Sequence, residues 1–340
     1  MNPGTFAGPG TGVPYGSISR YIQTPTITSS RTIAVPPGTQ RIEALLCGGG
    51  GSGGTNTSYG SGGGFGGCAI VEIPITGSPL QVVIGAGGAG RVNSGNGNPG
   101  SPTYVVSAGT RYGEVGGGGA GTSPTPTNIA NGRSGGGAGG ANGCGGGPPL
   151  GRLLWTSYPQ QQNGNPGIEV VYSATSAASI GGGASNGVFG GYGISAPSWS
   201  AIQGGSGSFG AGGGSASSYY DGGTQFIGNP GYGAGANVFN QFSGTPNHNG
   251  VHGGGAAVGS NTNYTSGGSL TSVSIWGYTG FAGGTGSLAG GGGGGMLGAG
   301  GNGASNGGAG GDGGGGGGGG MANATSGAGG NGFAAIRFYL

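Results

Sequence analysis

Two histidines, His248 and His252, stand four residues apart in "NHNGVHG", the spacing that on a helix turns both imidazoles toward one metal ion. The segment is a Gly/Asn loop, and no acid or cysteine lies close by to complete a ligand set, so no metal is expected. Two G-x-S-x-G matches, at Gly50, Ser52 and Gly54 and at Gly132, Ser134 and Gly136, have the spacing of a nucleophile elbow. Neither lies between a strand and a helix, which is the turn that exposes such a serine. The G-x-G-x-x-G fingerprint recurs, but in a chain this rich in glycine chance alone supplies about ten matches. Of the six acids, Glu169 and Asp221 are the ones a polysaccharide-cleaving enzyme would draw on, yet the carboxylates are scattered and there is no lysine. General acid-base and nucleophilic catalysis need converging groups. The expectation is a protein that is not an enzyme and takes no cofactor.

The remaining chemistry is that of contact. Segments between about residues 120 and 280 are rich in Tyr, Trp, Ser, Asn and Thr and poor in charge, the mixture that binding loops use, because Tyr and Trp give a large contact area at small entropic cost. The candidate receptor-binding residues are Tyr158, Trp199, Tyr219, Tyr220, Phe239, Tyr264, Trp276 and Tyr278. Each aromatic taken singly also suits a cap or a small core. As a group they suit a binding surface.

The rest of the chain must position them, and it is dominated by glycine, 105 of 340 residues. Collagen is excluded, since the glycines come in runs rather than at every third position and proline numbers only 19. A disordered chain normally pairs low hydrophobicity with many charges; here 4% of residues are charged and 32% hydrophobic. An ordered glycine-rich fold fits better, with disorder as the alternative. The net charge of +2 comes from dispersed arginines and acids, without the basic patch that nucleic acid or an anionic membrane requires. No apolar run reaches the length of a membrane span, and the first 16 residues lack the basic and apolar regions of a signal peptide. Neither nucleic-acid binding nor membrane insertion is expected. Three cysteines, Cys47, Cys68 and Cys144, do not make a disulfide framework and read as reduced, buried fillers.

Residues 1–30 form an arm or attachment segment, residues 31–115 a β-strand region with glycine arches, and residues 116–340 a glycine-rich domain with aromatic loops and a final strand. Strand signals are clear in "RIEALLC", where Ile42, Ala44 and Leu46 alternate with Arg41 and Glu43. They recur at residues 70–75 and 80–84, and in "AAIRFYL", where Ile336, Phe338 and Leu340 oppose Arg337 and Tyr339. No segment has helical periodicity. The eight glycines of residues 313–320 can be ordered as polyglycine II, a threefold left-handed helix whose N–H and C=O groups bond to neighbours packed side by side; at about 3.1 Å per residue they span about 25 Å. The expected fold is all-β or irregular: a short antiparallel β-sheet region joined to a polyglycine II bundle, with almost no α-helix.

The motifs "PPGTQRIEALLCGGGGSGG", "GGFGGCAIVEIPITGSPLQVVIGAGGAG" and "GGDGGGGGGGG", followed by "SGAGGNGFAAIRFY", resemble the glycine-rich domain of bacteriophage tail fibre and other virion proteins. The glycine runs are also similar to those of tip adhesins of T-even-type long tail fibres. The resemblance implies a virion location, at a tail fibre or tail tip, and receptor-binding loops carried on a polyglycine II scaffold. The partners it implies are other virion proteins, further copies of the same chain in a homo-oligomer, and a host surface protein or glycan. The alternative is a purely structural virion or extracellular fibre protein whose loops join subunits.

Overall fold

The computed structural model describes residues 20–56, 60–121, 250, 253–257, 266–321 and 324–340, together with strands at 153–156, 179–180, 192–193, 218–221 and 224–227. Among these residues there is no helix. The main sheet is antiparallel and has five strands, in the order β1 (Tyr21–Gln23), β17 (Phe333–Tyr339), β3 (Arg41–Cys47), β5 (Cys68–Ile73) and β9 (Leu153–Thr156). The last strand of the chain thus lies between the first and third, with Phe333 opposite Cys47 and Tyr339 opposite Arg41. A second antiparallel sheet runs β2 (Arg31–Ile33), β6 (Leu80–Val83), β7 (Thr103–Ser107) and β8 (Thr110–Val115). β5 begins two residues earlier than expected from the sequence, at Cys68, and ends two residues earlier, at Ile73, where Pro74 has no N–H to donate to the ladder.

The alternation in "RIEALLC" and "AAIRFYL" places Ile42, Ala44, Leu46, Ala334, Ile336 and Phe338 on one face, where they pack with Leu80, Val82, Val105 and Val115 of the second sheet. The opposite face is also covered. Leu45, Cys47, Cys68, Ile70, Phe333 and Ala335 pack under Phe65, Leu270, Val273 and Met296. The expected half-buried strands are therefore buried on both faces over most of their length; β17 turns half-exposed at Arg337 and Tyr339, and β3 is exposed at Arg41. Leu340, expected on the core side, is 43% exposed beyond the strand's end.

Beyond the strands the chain enters a lattice of glycine segments. The amides of residues 48–55 point in three directions in turn. Gly48, Gly51 and Gly54 donate to Gly67, Gly64 and Ser61; Gly49, Ser52 and Thr55 donate to Ser101, Asn98 and Gly95; Gly50 and Gly53 donate to Gly330 and Gly327. A repeat of three residues per turn is the polyglycine II helix; the three segments that accept these amides run antiparallel, whereas residues 118–121 and 317–320, which donate to its carbonyls, run parallel. Carbonyls point outward between the amides and receive Gly88, Gly118, Gly121, Gly317 and Gly320.

The glycine run shows why no side chain is tolerated. Gly313 and Gly314 turn the chain with φ of 86° and 101°, and the helix proper is residues 315–320. Its amides go to Gly311 and Gly308, to Gly253 and Ala256, and to Gly51 and Gly54; its carbonyls receive Gly330 and Gly327, Gly293 and Gly290, and Gly63. Six neighbouring segments surround it. A Cβ at Gly316, Gly317, Gly318 or Gly319 would meet the carbonyl oxygen of Gly63, Gly327, Gly290 or Gly60 respectively. This packing gives each amide the partner that a lone glycine helix would leave to water.

At the rim, side chains replace missing neighbours: Asn302 Oδ1 accepts from Thr285 N, Asn306 Oδ1 from Thr325 N, and Asn331 Oδ1 from Gly87 N. The small strands β4 (Thr55–Asn56) and β16 (Gly320–Met321) pair in parallel where two lattice helices end. The hairpins β10 (Ser179–Ile180) with β11 (Tyr192–Gly193), β12 (Ser218–Asp221) with β13 (Thr224–Ile227), and β14 (Ser274–Ile275) with β15 (Tyr278–Thr279) complete the strands.

Candidate functional site

Two of the expected contact residues, Trp276 and Tyr278, lie on one hairpin. The turn between β14 and β15 is Trp276-Gly277, with φ of 54° and 85°, the doubly positive pattern that two-residue hairpins normally fill with Asn-Gly or Gly-Gly. A bulky residue held at positive φ costs roughly 1–3 kcal/mol, and persists where its surroundings fix it. The surroundings are on β17. The Arg337 guanidinium carbon sits over both rings, 4.1 Å from the centre of the Trp276 ring and 4.3 Å from that of Tyr21, and its Nε donates to Gln23 Oε1 at 2.8 Å. Tyr278 packs on Phe333, with ring centres 5.1 Å apart, and its hydroxyl shares a 2.9 Å hydrogen bond with Thr26 Oγ1.

The strand period explains the arrangement. Phe333 and Ala335 face the second core, so Arg337 and Tyr339 continue the same face past its edge. Gln23 lies opposite Arg337 and Tyr21 opposite Tyr339; on the other side Glu43 and Arg41 hold the same two positions. Tyr339 donates its hydroxyl to Glu43 Oε2 at 2.6 Å, and Arg41 closes the group, 3.2 Å from Glu43 Oε1 and 4.0 Å from the centre of the Tyr339 ring. Burial, reinforced by the Glu43 hydrogen bond, pushes the Tyr339 phenol above its ordinary range. The result is a ribbon of Trp276, Arg337, Tyr21, Tyr339 and Arg41 along one end of the main sheet, with Tyr21 48% exposed. Stacked guanidinium and aromatic planes are suited to surface contact.

Tyr219 and Tyr220 lie in β12, opposite Phe226 and Gln225 of β13. Tyr158, Trp199, Phe239 and Tyr264 lie outside the described residues, as do His248, His252, Glu169 and Cys144. Among the described residues no three His, Cys, Asp or Glu side chains gather as a metal site. Sequence reasoning missed Tyr21, Arg41, Arg337 and Tyr339 as members of one group. The available signal was the Arg/Tyr pairing in "SRYIQ" and "IRFYL", two segments that share a sheet only once the chain ends are brought together.

Comparison with curated proteins finds no matching sequence. The model of a glycine-rich domain matches residues 24–272, from just after β1 to the edge of the hairpin that carries Trp276. With most of the chain matched, the protein belongs to the glycine-rich domain family.

Proposed function

We propose that the chain is a bacteriophage virion protein without enzymatic activity, a tail-fibre or tail-tip component that holds host-binding loops on a polyglycine II scaffold. The observation that carries this reading is the lattice itself. Helix 315–320 spends all six of its directions on backbone hydrogen bonds, which leaves the scaffold interior no side chain with which to recognise anything. Recognition chemistry then falls to the rim and to the long sequence insertion between the lattice residues Gly121 and Gly250. That insertion carries Tyr158, Trp199, Tyr219, Tyr220 and Phe239, and loops on a rigid support are the usual place for binding residues. The proposed partners are other virion proteins, sister copies of the chain, and a host surface protein or glycan.

The packing of Trp276 and Tyr278 onto Arg337 and Phe333 favours a second reading for that hairpin, in which the protein is purely structural and its aromatics secure the fold or join subunits. Antibody labelling of intact particles separates the two. Label at the distal tail, with adsorption blocked by the same antibody, supports host binding; label elsewhere on the particle without blocking supports the structural reading. Particles without label, together with purified protein that does not bind host cells, overturn the proposal. Substituting Tyr219 and Tyr220 by Ala is expected to abolish adsorption while particles still assemble.

A further inference from the structure

Cys47 and Cys68 close the neck of a glycine arch. Cys47 is the last residue of β3 and Cys68 the first of β5, they stand directly opposite in the ladder, and the chain between them makes the two lattice helices of residues 48–55 and 60–67. Gly48 N donates to Gly67 O at 2.9 Å one step further on, whereas the Cys47 carbonyl turns away from β5 and accepts from Thr103 Oγ1 at 2.7 Å. The cysteines therefore form the narrow, non-hydrogen-bonded kind of antiparallel pair, with Cα atoms about 4.5 Å apart, inside the range that a disulfide spans. Both side chains face the same core, beside Phe65, Met296 and Phe333. Both thiols are free and buried. The Cys47 S–H donates to Gly313 O at 3.1 Å, and the Cys68 thiol is also hydrogen-bonded to Cys47.

We propose that Cys47 and Cys68 are a disulfide-forming pair, oxidised by a small-molecule disulfide of the glutathione type, and that the bond fastens the arch where sheet meets lattice. One cysteine, as thiolate, attacks the small disulfide, breaks its S–S bond and releases one thiolate. The second protein thiolate then attacks the mixed disulfide, forming the Cys47–Cys68 bond and expelling the second small thiolate. Two protein thiols become one disulfide, one small disulfide becomes two thiols, and the two protons pass to the leaving sulfurs. Burial pushes the Cys47 thiol well above its usual range, so exchange in the folded protein is slow and proceeds through local opening. The inference rests on strand register and is independent of the function proposed above.

The test equilibrates the full-length protein for days with excess oxidised glutathione, followed by trypsin digestion and mass measurement. Cleavage after Arg41 and Arg91 leaves both cysteines in the peptide of residues 42–91, while Cys144 falls between Arg133 and Arg152. The expected result is a 42–91 peptide lighter by about two mass units, unreactive to maleimide, and a Tm higher by about 5 °C that returns to its starting value on reduction. C68S is expected to show neither change. A 42–91 peptide that keeps two free thiols, carries two glutathione adducts or links to the Cys144 peptide overturns the proposal. So does an internal disulfide that lowers Tm.

Discussion

The amide of Gly317 donates to the carbonyl of Gly51 at 2.9 Å, and this bond joins the C-terminal glycine run to the arch that follows β3. It makes the final fifth of the chain part of the same body as its first sheet, together with the pairing of β17 between β1 and β3.

If backbone contact on every side fixes the run, glycine is required there for space. A Cβ at Gly317 would meet the Gly327 carbonyl, and G317A is expected to destabilise by about 3 kcal/mol or more. At Gly298 the nearest atom to an added Cβ is Asp312 N at 3.4 Å. G298A is expected to be neutral or stabilising by about 0.5 kcal/mol, through the unfolded chain. Urea midpoints of the two variants check the contrast.

The strained turn at Trp276 is expected to depend on Arg337. A double-mutant cycle with R337A and W276A should give a coupling free energy of about 1 kcal/mol. R337K keeps the charge but loses both the flat guanidinium that contacts Tyr21 and Trp276 and the Nε bond to Gln23. It should therefore recover less than half of the loss seen in R337A.

Tyr339 sets an alkaline limit. Because its folded value is raised, its contribution is complete below its ordinary value of about 10 and is lost as pH climbs through the folded value. Y339F removes the hydroxyl bond to the largely buried Glu43 and should cost about 1–2 kcal/mol at pH 7. The gap between Y339F and the parent should narrow above pH 10, which thermal melts across pH 7–11 would show.

Glu114 acts in the opposite sense at neutral pH. Burial raises its carboxyl above the ordinary range, against the attraction of Arg111 at 2.9 Å. Its protonated form is the one the fold favours, so that contribution is present at low pH and lost as pH rises through the raised value. E114Q is expected to raise Tm at pH 7 relative to the parent, with the difference shrinking toward pH 3.

Composition and the run at residues 313–320 were enough to indicate a polyglycine II bundle, and the alternation in "RIEALLC" placed β3 correctly. Even the threefold turn left a trace: Ser52 and Thr55, three residues apart, share one side of their helix and bond toward residues 95–98. The covering of β3 on both faces was not legible, because the second layer comes from Leu270, Val273 and Met296, more than two hundred residues away among glycines that carry no register. The meeting of Trp276 with Arg337, and of Cys47 with Cys68, was hidden as well, because glycine runs without a fixed register lie between the two members of each pair. Side-chain pattern reveals which face of a strand is apolar, whereas lattice register is set by backbone hydrogen bonds that every glycine can make equally well.

Hydrogen exchange at the amides of residues 315–320 tests the central claim most directly. The lattice predicts protection comparable with that of β3, since each amide is bonded to a buried neighbouring segment. Exchange at the rate of an unstructured glycine peptide, while β3 remains protected, would contradict it.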